Sequence, residues 1–172
     1  MLLFFMTDAV EAHRDYLRTL KLKYSILEKS IDGIAGKPLS EIRLKRLNAK
    51  DREDVVALYT EIKLHEIYFS SFSDRKFPTS SFVREKYGSE SALLNHIYKK
   101  ALALPFGFVS LNVCAGEILV NASTENSEHF KLGEPSLALD LAEHAYFRDY
   151  GFEKERYIID ALEHLDLSRL VK

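Results

Sequence analysis

The chain has 172 residues, of which 47% are hydrophobic and 29% charged, and its formal net charge at pH 7 is −2. This length suffices for one large domain or two small units that share a core. The absence of a basic excess argues against nucleic-acid binding, and no apolar run reaches the ~18 residues of a membrane span. Cys114 is the single cysteine, which excludes an intramolecular disulfide and fits a reducing compartment, so we expect a cytoplasmic protein.

The chain begins with an apolar stretch followed by a pattern typical of a long helix. Residues 1–6 are too short for the core of a signal peptide, and we expect them to pack on the domain as a tail. From Asp8 to about residue 31 the apolar residues recur at helical spacing, with Asp8 and Glu11 as a capping pair. His13 lies on the same apolar face, so we expect its side chain to be buried.

A break rich in glycine and proline, at 33–38, ends this first helix. Residues 39–47 predict a short basic helix. A second long helix is predicted from about 51 to 72, with His65 on its inner face. The two long helices predict an antiparallel hairpin, and the polar segment 74–81 is the best candidate for a domain boundary.

The second half of the sequence mixes helical and strand-like segments. The predicted elements are a helix at 82–103, strands at 106–113, 117–122 and 136–141, and helices at 143–150 and 153–165. We therefore expect an α+β fold. Residues 1–78 would form the helical hairpin domain, and residues 79–172 a mixed domain with a three-stranded antiparallel sheet and flanking helices.

The segment 139–147 carries the most chemical information. Asp140 ends the third predicted strand, and His144 follows four residues later, a spacing that can direct a carboxylate and an imidazole at one point. Taken alone, this pair is equally consistent with a structural ion pair, and His65 alone is more often a core histidine. Three imidazoles and a carboxylate without thiolates suit iron or manganese.

The segment Asp140-Leu-Ala-Glu-His-Ala-Tyr146 resembles the Asp-x-x-Glu-His-Ala-Tyr signature of the iron/manganese superoxide dismutase family, in which Trp usually stands at the position of Ala142. Other segments resemble family motifs in the same order along the chain. They are Glu11-Ala12-His13, Gly36 to Ile42, Leu64 to Phe69, Gly107 to Leu111 and Ala122 to Asn126. The resemblance thus covers nearly the whole chain.

The resemblance implies a specific site and activity. One iron or manganese ion per chain, with iron favoured, would lie between the two domains, and its implied ligands are His13, His65, Asp140 and His144. The implied reaction is the disproportionation of superoxide to dioxygen and hydrogen peroxide. The resemblance also implies a homodimer in which Glu143 bridges to the partner's His144. We expect neither nucleic acid nor a membrane as a partner.

The sequence departs from the family pattern around this site. It contains no tryptophan, and Phe69 and Phe108 stand at two of the family's tryptophan positions. The family's gateway tyrosine falls at Lys21 and the metal-side glutamine of iron enzymes at Glu61. These two residues are therefore candidate catalytic residues, with a plain salt bridge between them as the alternative. His129 is expected to be solvated or, alternatively, to tune the metal in place of the glutamine.

Two further functions remain open beside dismutation. The first is a metal-binding relative with lost or altered activity, and the second is a metal site with another redox role, such as peroxide chemistry. All four implied ligands are present, which favours metal binding in each case. Dismutation that rises greatly in Lys21→Tyr and Glu61→Gln variants would identify the native protein as a detuned relative.

Overall fold

The structure is a computed structural model that describes residues 8–75 and 80–171. The predicted apolar tail at 1–6 and the centre of the predicted boundary, 76–79, lie outside the described residues. The proposed division at 78/79 therefore stays a prediction. No helix within the described residues has the length and apolar character needed to cross a membrane.

Two long helices form the N-terminal hairpin, α1 (Asp8–Ser30) and α2 (Ala49–Ser70). Residues later in α1 contact residues earlier in α2, so the two helices are antiparallel, as predicted. The ring of His13 contacts that of His65, and the ring of Tyr24 contacts that of Tyr59. The side chain of Asn48 caps α2 by accepting a hydrogen bond from the Asp51 backbone N–H.

The connection between α1 and α2 differs from the prediction. The helix expected at 39–47 is wrong: the segment contains two short 3₁₀ turns, Leu39–Glu41 and Leu44–Arg46, separated by extended backbone at Ile42. The reason is packing, because the apolar residues here do not follow helical spacing. Leu39, Ile42, Leu44 and Leu47 all face a small core with Ile34 and Val55.

The C-terminal half contains four α-helices, two short 3₁₀ helices and one sheet among the described residues. The helices are α3 (Ser81–Tyr87), α4 (Glu90–Ala103), α5 (Glu143–Tyr150) and α6 (Lys154–His164), and the strands are β1 (Phe108–Cys114), β2 (Glu117–Ser123) and β3 (Leu137–Asp140). The three strands pair antiparallel in the order β2-β1-β3, which confirms the predicted α+β fold.

Two turns depend on residues with positive φ. The helix predicted over 82–103 is interrupted at Gly88, whose φ of 77° ends α3 before Ser89 caps α4. The β1–β2 turn has φ of 50° at Ala115 and 76° at Gly116, the pattern of a two-residue turn that matches the twist of the strands. A continuous core then joins α2 to the sheet, α4 and α6.

Candidate metal centre

Four side chains from three parts of the chain converge at one buried point. One candidate ligand atom from each of His13, His65, Asp140 and His144 lies within 4.8 Å of the other three. The Oδ2 atom of Asp140 is 3.1 Å from His13 Nε2, 3.4 Å from His65 Nε2 and 3.0 Å from His144 Nε2. The structure therefore brings together all four residues that the sequence resemblance implied.

Helix α2 fixes the orientation of the His65 ring. His65 Nδ1–H donates a 2.7 Å hydrogen bond to the backbone carbonyl of Glu61, one turn earlier. In the neutral ring the other nitrogen, Nε2, is then unprotonated, and its lone pair points at the cluster. His65 Nε2 lies 3.3 Å from His144 Nε2 and 3.4 Å from Asp140 Oδ2. Two electron-rich atoms facing each other at this distance suit a cation between them.

Asp140 is held by its own turn and by the core. Its Oδ1 accepts a 2.8 Å hydrogen bond from the Ala142 backbone N–H, which leaves Oδ2 to face the three imidazoles. The hydroxyl of Tyr157 donates a 2.7 Å hydrogen bond to the Asp140 backbone carbonyl. The strand end pairs with Phe108 of the central strand β1. Side chain, carbonyl and strand position are thus each fixed by a separate contact.

His13 provides the test of whether a metal ion fits. The residue is fully buried, and neither ring nitrogen has an aligned hydrogen-bond partner among the described residues, although Nε2 lies 3.1 Å from Asp140 Oδ2. A buried imidazole without hydrogen bonds costs free energy, because its nitrogens have lost their contacts with water. A cation at the centre of the cluster would satisfy Nε2. The residues present therefore fit a metal ion.

The electrostatics of the cluster favour an ionised Asp140 carboxylate and a neutral His13, whereas His144 holds its proton more strongly than usual. Burial opposes ionisation of Asp140, but the contacts with His13 and His144 outweigh it and hold the pKa of its carboxyl well below the ordinary value. Burial also lowers the pKa of His13. Burial lowers the pKa of His144 as well, yet its bond to Asp140 reverses this and raises the pKa. An ionised carboxylate with imidazole lone pairs is a ligand set for a hard or intermediate cation.

Residues 76–171 match the sequence profile of the family described as iron/manganese superoxide dismutases, C-terminal domain. The match takes in the sheet, α5 and two of the four clustered residues, Asp140 and His144. The chain belongs to this family. The α+β fold, with a long-helix hairpin ahead of the three-stranded sheet, is consistent with that membership.

A curated relative extends the similarity into the N-terminal half. The chain is 28% identical over 130 residues to a protein named superoxide dismutase [Fe] from Cupriavidus metallidurans. The aligned segment covers 72% of this chain and 66% of the relative, just under two thirds of its length. The family profile matches residues 76–171, so the similarity of residues before 76 to a superoxide dismutase comes from this relative.

Within this superoxide dismutase family member, phenylalanines stand beside the cluster where the family pattern has tryptophan. The ring centroid of Phe69 lies 5.0 Å from that of His13, and the centroid of Phe108 lies 5.4 Å from that of His65. The ring centroid of Tyr68 lies 4.6 Å from that of His13 and 5.2 Å from that of Phe69. The cluster is therefore lined by rings despite the absence of tryptophan from the sequence.

The structure corrects the predicted relation between Lys21 and Glu61. The salt bridge considered between these two residues is wrong: Lys21 Nζ lies 2.8 Å from Glu66 Oε1, in a half-exposed position. Glu61 instead accepts a 2.6 Å hydrogen bond from the hydroxyl of Tyr16. Sequence reasoning missed Tyr16, whose ring centroid lies 4.4 Å from that of His144. Its position one turn after His13 was the available signal, although the same spacing is typical of core residues.

The expectation that His129 is solvated is also wrong. The side chain is buried, its Nδ1 lies 2.7 Å from Ser110 Oγ, and its Nε2 lies 3.4 Å from the Ser123 carbonyl. Its ring centroid is 6.2 Å from that of Phe108, whose own ring contacts His65. Phe108 thus lies between His129 and the cluster. A role for His129 in tuning a metal would have to act through this ring.

Proposed function

We propose that this protein is a superoxide dismutase that binds one iron or manganese ion per chain through His13, His65, Asp140 and His144. The single observation that carries the proposal is the convergence of these four side chains, with a buried His13 whose ring nitrogens have no aligned hydrogen bond within the described residues. Membership in the family supplies the reaction class, which is the disproportionation of superoxide.

The bound metal ion would supply one-electron redox chemistry in both directions. The protein's residues keep the four donors in place and in the required protonation state. The Glu61 carbonyl keeps the proton of His65 on Nδ1, and the Ala142 N–H occupies Oδ1 of Asp140. The rings of Phe69 and Phe108 exclude water from two sides, which strengthens every electrostatic interaction at the site.

We favour iron over manganese as the native metal. The curated relative is named as an iron enzyme, which supports this choice. In addition, Glu61 stands at the position that a glutamine takes in the family's iron enzymes. A carboxylate there stabilises the more positive, oxidised metal and lowers its reduction potential relative to an amide.

Elemental analysis of purified protein, with dismutase activity measured on the same sample, tests the proposal directly. We expect about one iron or manganese per chain and activity that is lost in a His144→Ala variant. A His164→Ala variant is the matched control, because His164 lies on α6 and is not one of the four clustered residues. Protein that takes up neither metal after unfolding and refolding with iron or manganese would refute the proposal.

A second candidate function is a metal-binding relative with altered activity, such as peroxide chemistry. Two observations favour it: Lys21 contacts Glu66 rather than the cluster, and Glu61 presents a carboxylate where the family's iron enzymes have an amide. Stoichiometric metal with little dismutation would indicate this alternative. A large gain in dismutation in the Lys21→Tyr, Glu61→Gln double variant would show that these two positions limit the native rate.

We also propose a homodimer in which Glu143 binds the partner's His144. Glu143 is exposed at the start of α5, and the His144 side chain is 31% exposed while the other three clustered side chains are at most 1% exposed. The open side of the cluster is therefore the side that α5 presents. The division into domains at 78/79 and the assignment to the cytoplasm, which depends on the single cysteine, stay predictions.

A further inference from the structure

Tyr16 contacts the cluster in a way that the proposed function does not yet use. It lies three residues after His13 on α1, so both side chains project from the same face of the helix. Its ring centroid lies 4.4 Å from that of His144 and 5.4 Å from that of His65. Because His144 is the one clustered side chain with substantial exposure, Tyr16 lies at the side from which solvent and small molecules approach.

The hydroxyl of Tyr16 makes one short, specific contact. It donates a 2.6 Å hydrogen bond to Oε1 of Glu61, and both side chains are half-buried. Hydrogen bonds to ionised carboxylates are short and strong, and this one joins α1 to α2 one turn beyond the contact between His13 and His65. The carboxylate is thereby held by a residue that itself packs against two of the three clustered imidazole rings.

Glu61 is a potential competitor for any metal in this cluster. It lies one turn before His65 on α2, and its carboxylate interacts electrostatically with both Tyr16 and His144. Even so, it does not belong to the set of four converging donors. A carboxylate is a good ligand for iron or manganese, so without restraint the Glu61 side chain, which interacts with the clustered His144, would compete with small anions for an open coordination position.

We propose that Tyr16 is a positioning residue that keeps the Glu61 carboxylate out of the metal centre, so that a small anion can reach the ion from the side of His144. The proposal rests on the proposed function, since it requires a metal ion at the four-residue cluster. It assigns the restraint to the hydroxyl of Tyr16 and not to its ring. Removal of the hydroxyl alone should therefore be sufficient to release Glu61.

The test uses azide as the probe of an open position, because its binding to the iron-loaded protein is followed by absorbance and does not depend on dismutation. We expect azide to bind about tenfold more weakly to Tyr16→Phe than to wild type, since a hydrogen bond to a carboxylate is worth a decade in an equilibrium constant or more. In the Tyr16→Phe, Glu61→Gln double variant the affinity should return to the wild-type value, because an amide is a poor competitor.

Tyr24→Phe is the matched control. Tyr24 lies on the same helix, is also half-buried, and its hydroxyl has no hydrogen-bond partner among the described residues, so its loss should leave azide affinity unchanged. The proposal would be overturned if Tyr16→Phe weakened azide binding by the same factor in the wild-type protein and in the Glu61→Gln variant. Tyr16 would then act independently of Glu61. Unchanged affinity in Tyr16→Phe would overturn it as well.

A second measurement covers the case in which Tyr16→Phe folds poorly. The Glu61→Gln single variant keeps Tyr16 and should bind azide at most about threefold more tightly than wild type, because a restrained carboxylate does not compete and its replacement removes only a partly solvated charge outside the set of four donors. Azide binding that tightens about tenfold on Glu61→Gln would show that Glu61 already occupies the metal in the native protein, and would refute the restraint. Wild-type protein that binds no metal would refute the proposed function and this inference together, whereas a metal-loaded protein with the wrong azide pattern would refute the inference alone.

Discussion

The hydroxyl of Tyr157, on α6, donates a 2.7 Å hydrogen bond to the backbone carbonyl of Asp140 at the end of β3. Both residues are at most 1% exposed, so no water can replace this bond if it is lost. The contact ties the last helix to the residue on which the three imidazoles converge. The geometry of the cluster thus depends on a helix that contributes none of its four members.

Replacement of Tyr157 by phenylalanine should destabilise the metal-free protein by about 1–3 kcal/mol, the usual effect of leaving a buried carbonyl without its donor. Tyr98→Phe is the control, because Tyr98 bonds to Glu155 at the exposed surface and its loss should cost less than about 0.5 kcal/mol. Urea unfolding of the three proteins measures the difference. Equal midpoints for Tyr157→Phe and wild type would contradict the structural role of this bond.

His129 should make the stability of the metal-free protein depend on pH. Burial lowers the pKa of His129, although the Ser123 carbonyl and Glu128 act against this. The unfolded chain takes up a proton near the ordinary pKa of about 6.5, whereas the folded protein does so only at lower pH. His129 therefore contributes stability above pH ~6.5, and this contribution is lost as the pH falls through the interval between the two pKa values.

A His129→Gln variant checks this, because glutamine keeps hydrogen-bonding capacity but does not titrate. We expect wild type to lose stability faster than the variant between about pH 7 and pH 5, with a difference in slope of up to about 1.4 kcal/mol per pH unit. The two proteins have all other titrating groups in common, so the contributions of those groups to the pH dependence of stability cancel in the comparison. Parallel curves of unfolding free energy against pH would argue against a buried neutral His129.

Gly107 and Gly116 differ in the space around them, although both have positive φ. A Cβ at Gly107 would lie 2.8 Å from Thr124 Cα and closer still to the Ser123 carbonyl, while a Cβ at Gly116 would meet no atom within 4 Å. We therefore expect Gly116→Ala to cost about 1–2 kcal/mol, from backbone conformation alone. Gly107→Ala should cost several kcal/mol, because β2 must move away from β1.

Thermal unfolding of the two alanine variants measures this contrast, and a similar cost for both would contradict the close approach at Gly107. A second readout is local. Gly107 precedes Phe108, whose ring contacts His65, so the Gly107 variant should also take up less metal than Gly116→Ala at equal protein concentration.

The proposed dimer makes a prediction about metal retention. If Glu143 binds the partner's His144, a Glu143→Ala variant should weaken dimerisation by at least about tenfold and release metal to a chelator faster. Glu163→Ala, another exposed glutamate on a C-terminal helix, is the control and should change neither. Sedimentation and chelator kinetics give both quantities, and a monomeric wild type with full metal retention would contradict the proposal.

The sequence was sufficient to predict features that depend on local spacing. Helix α5 begins and ends at the predicted residues, and the four clustered side chains were identified because their motifs occur in family order. The strands and the hairpin between β1 and β2 also follow from alternating patterns and a short turn.

The features that the sequence did not reveal depend on contacts between distant segments. Tyr16 has the spacing of an ordinary core residue, and its role follows only when α5 brings His144 against its ring. His129 carries no pattern that distinguishes a buried imidazole from a solvated one. Lys21 is long enough to reach several acids, and only the crossing of α1 and α2 determines that it binds Glu66.

The four clustered side chains come from both ends of the chain, and this has a consequence during synthesis. On the proposed ligand set, a nascent chain that ends before β3 offers two imidazoles, and a fragment that lacks the hairpin offers one imidazole and one carboxylate. Neither pair can hold iron or manganese as tightly as the complete set, because each additional donor on a folded scaffold adds to the binding free energy. Tight metal binding would therefore be limited to molecules in which the hairpin and the segment that carries Asp140 and His144 have both been made and have packed together.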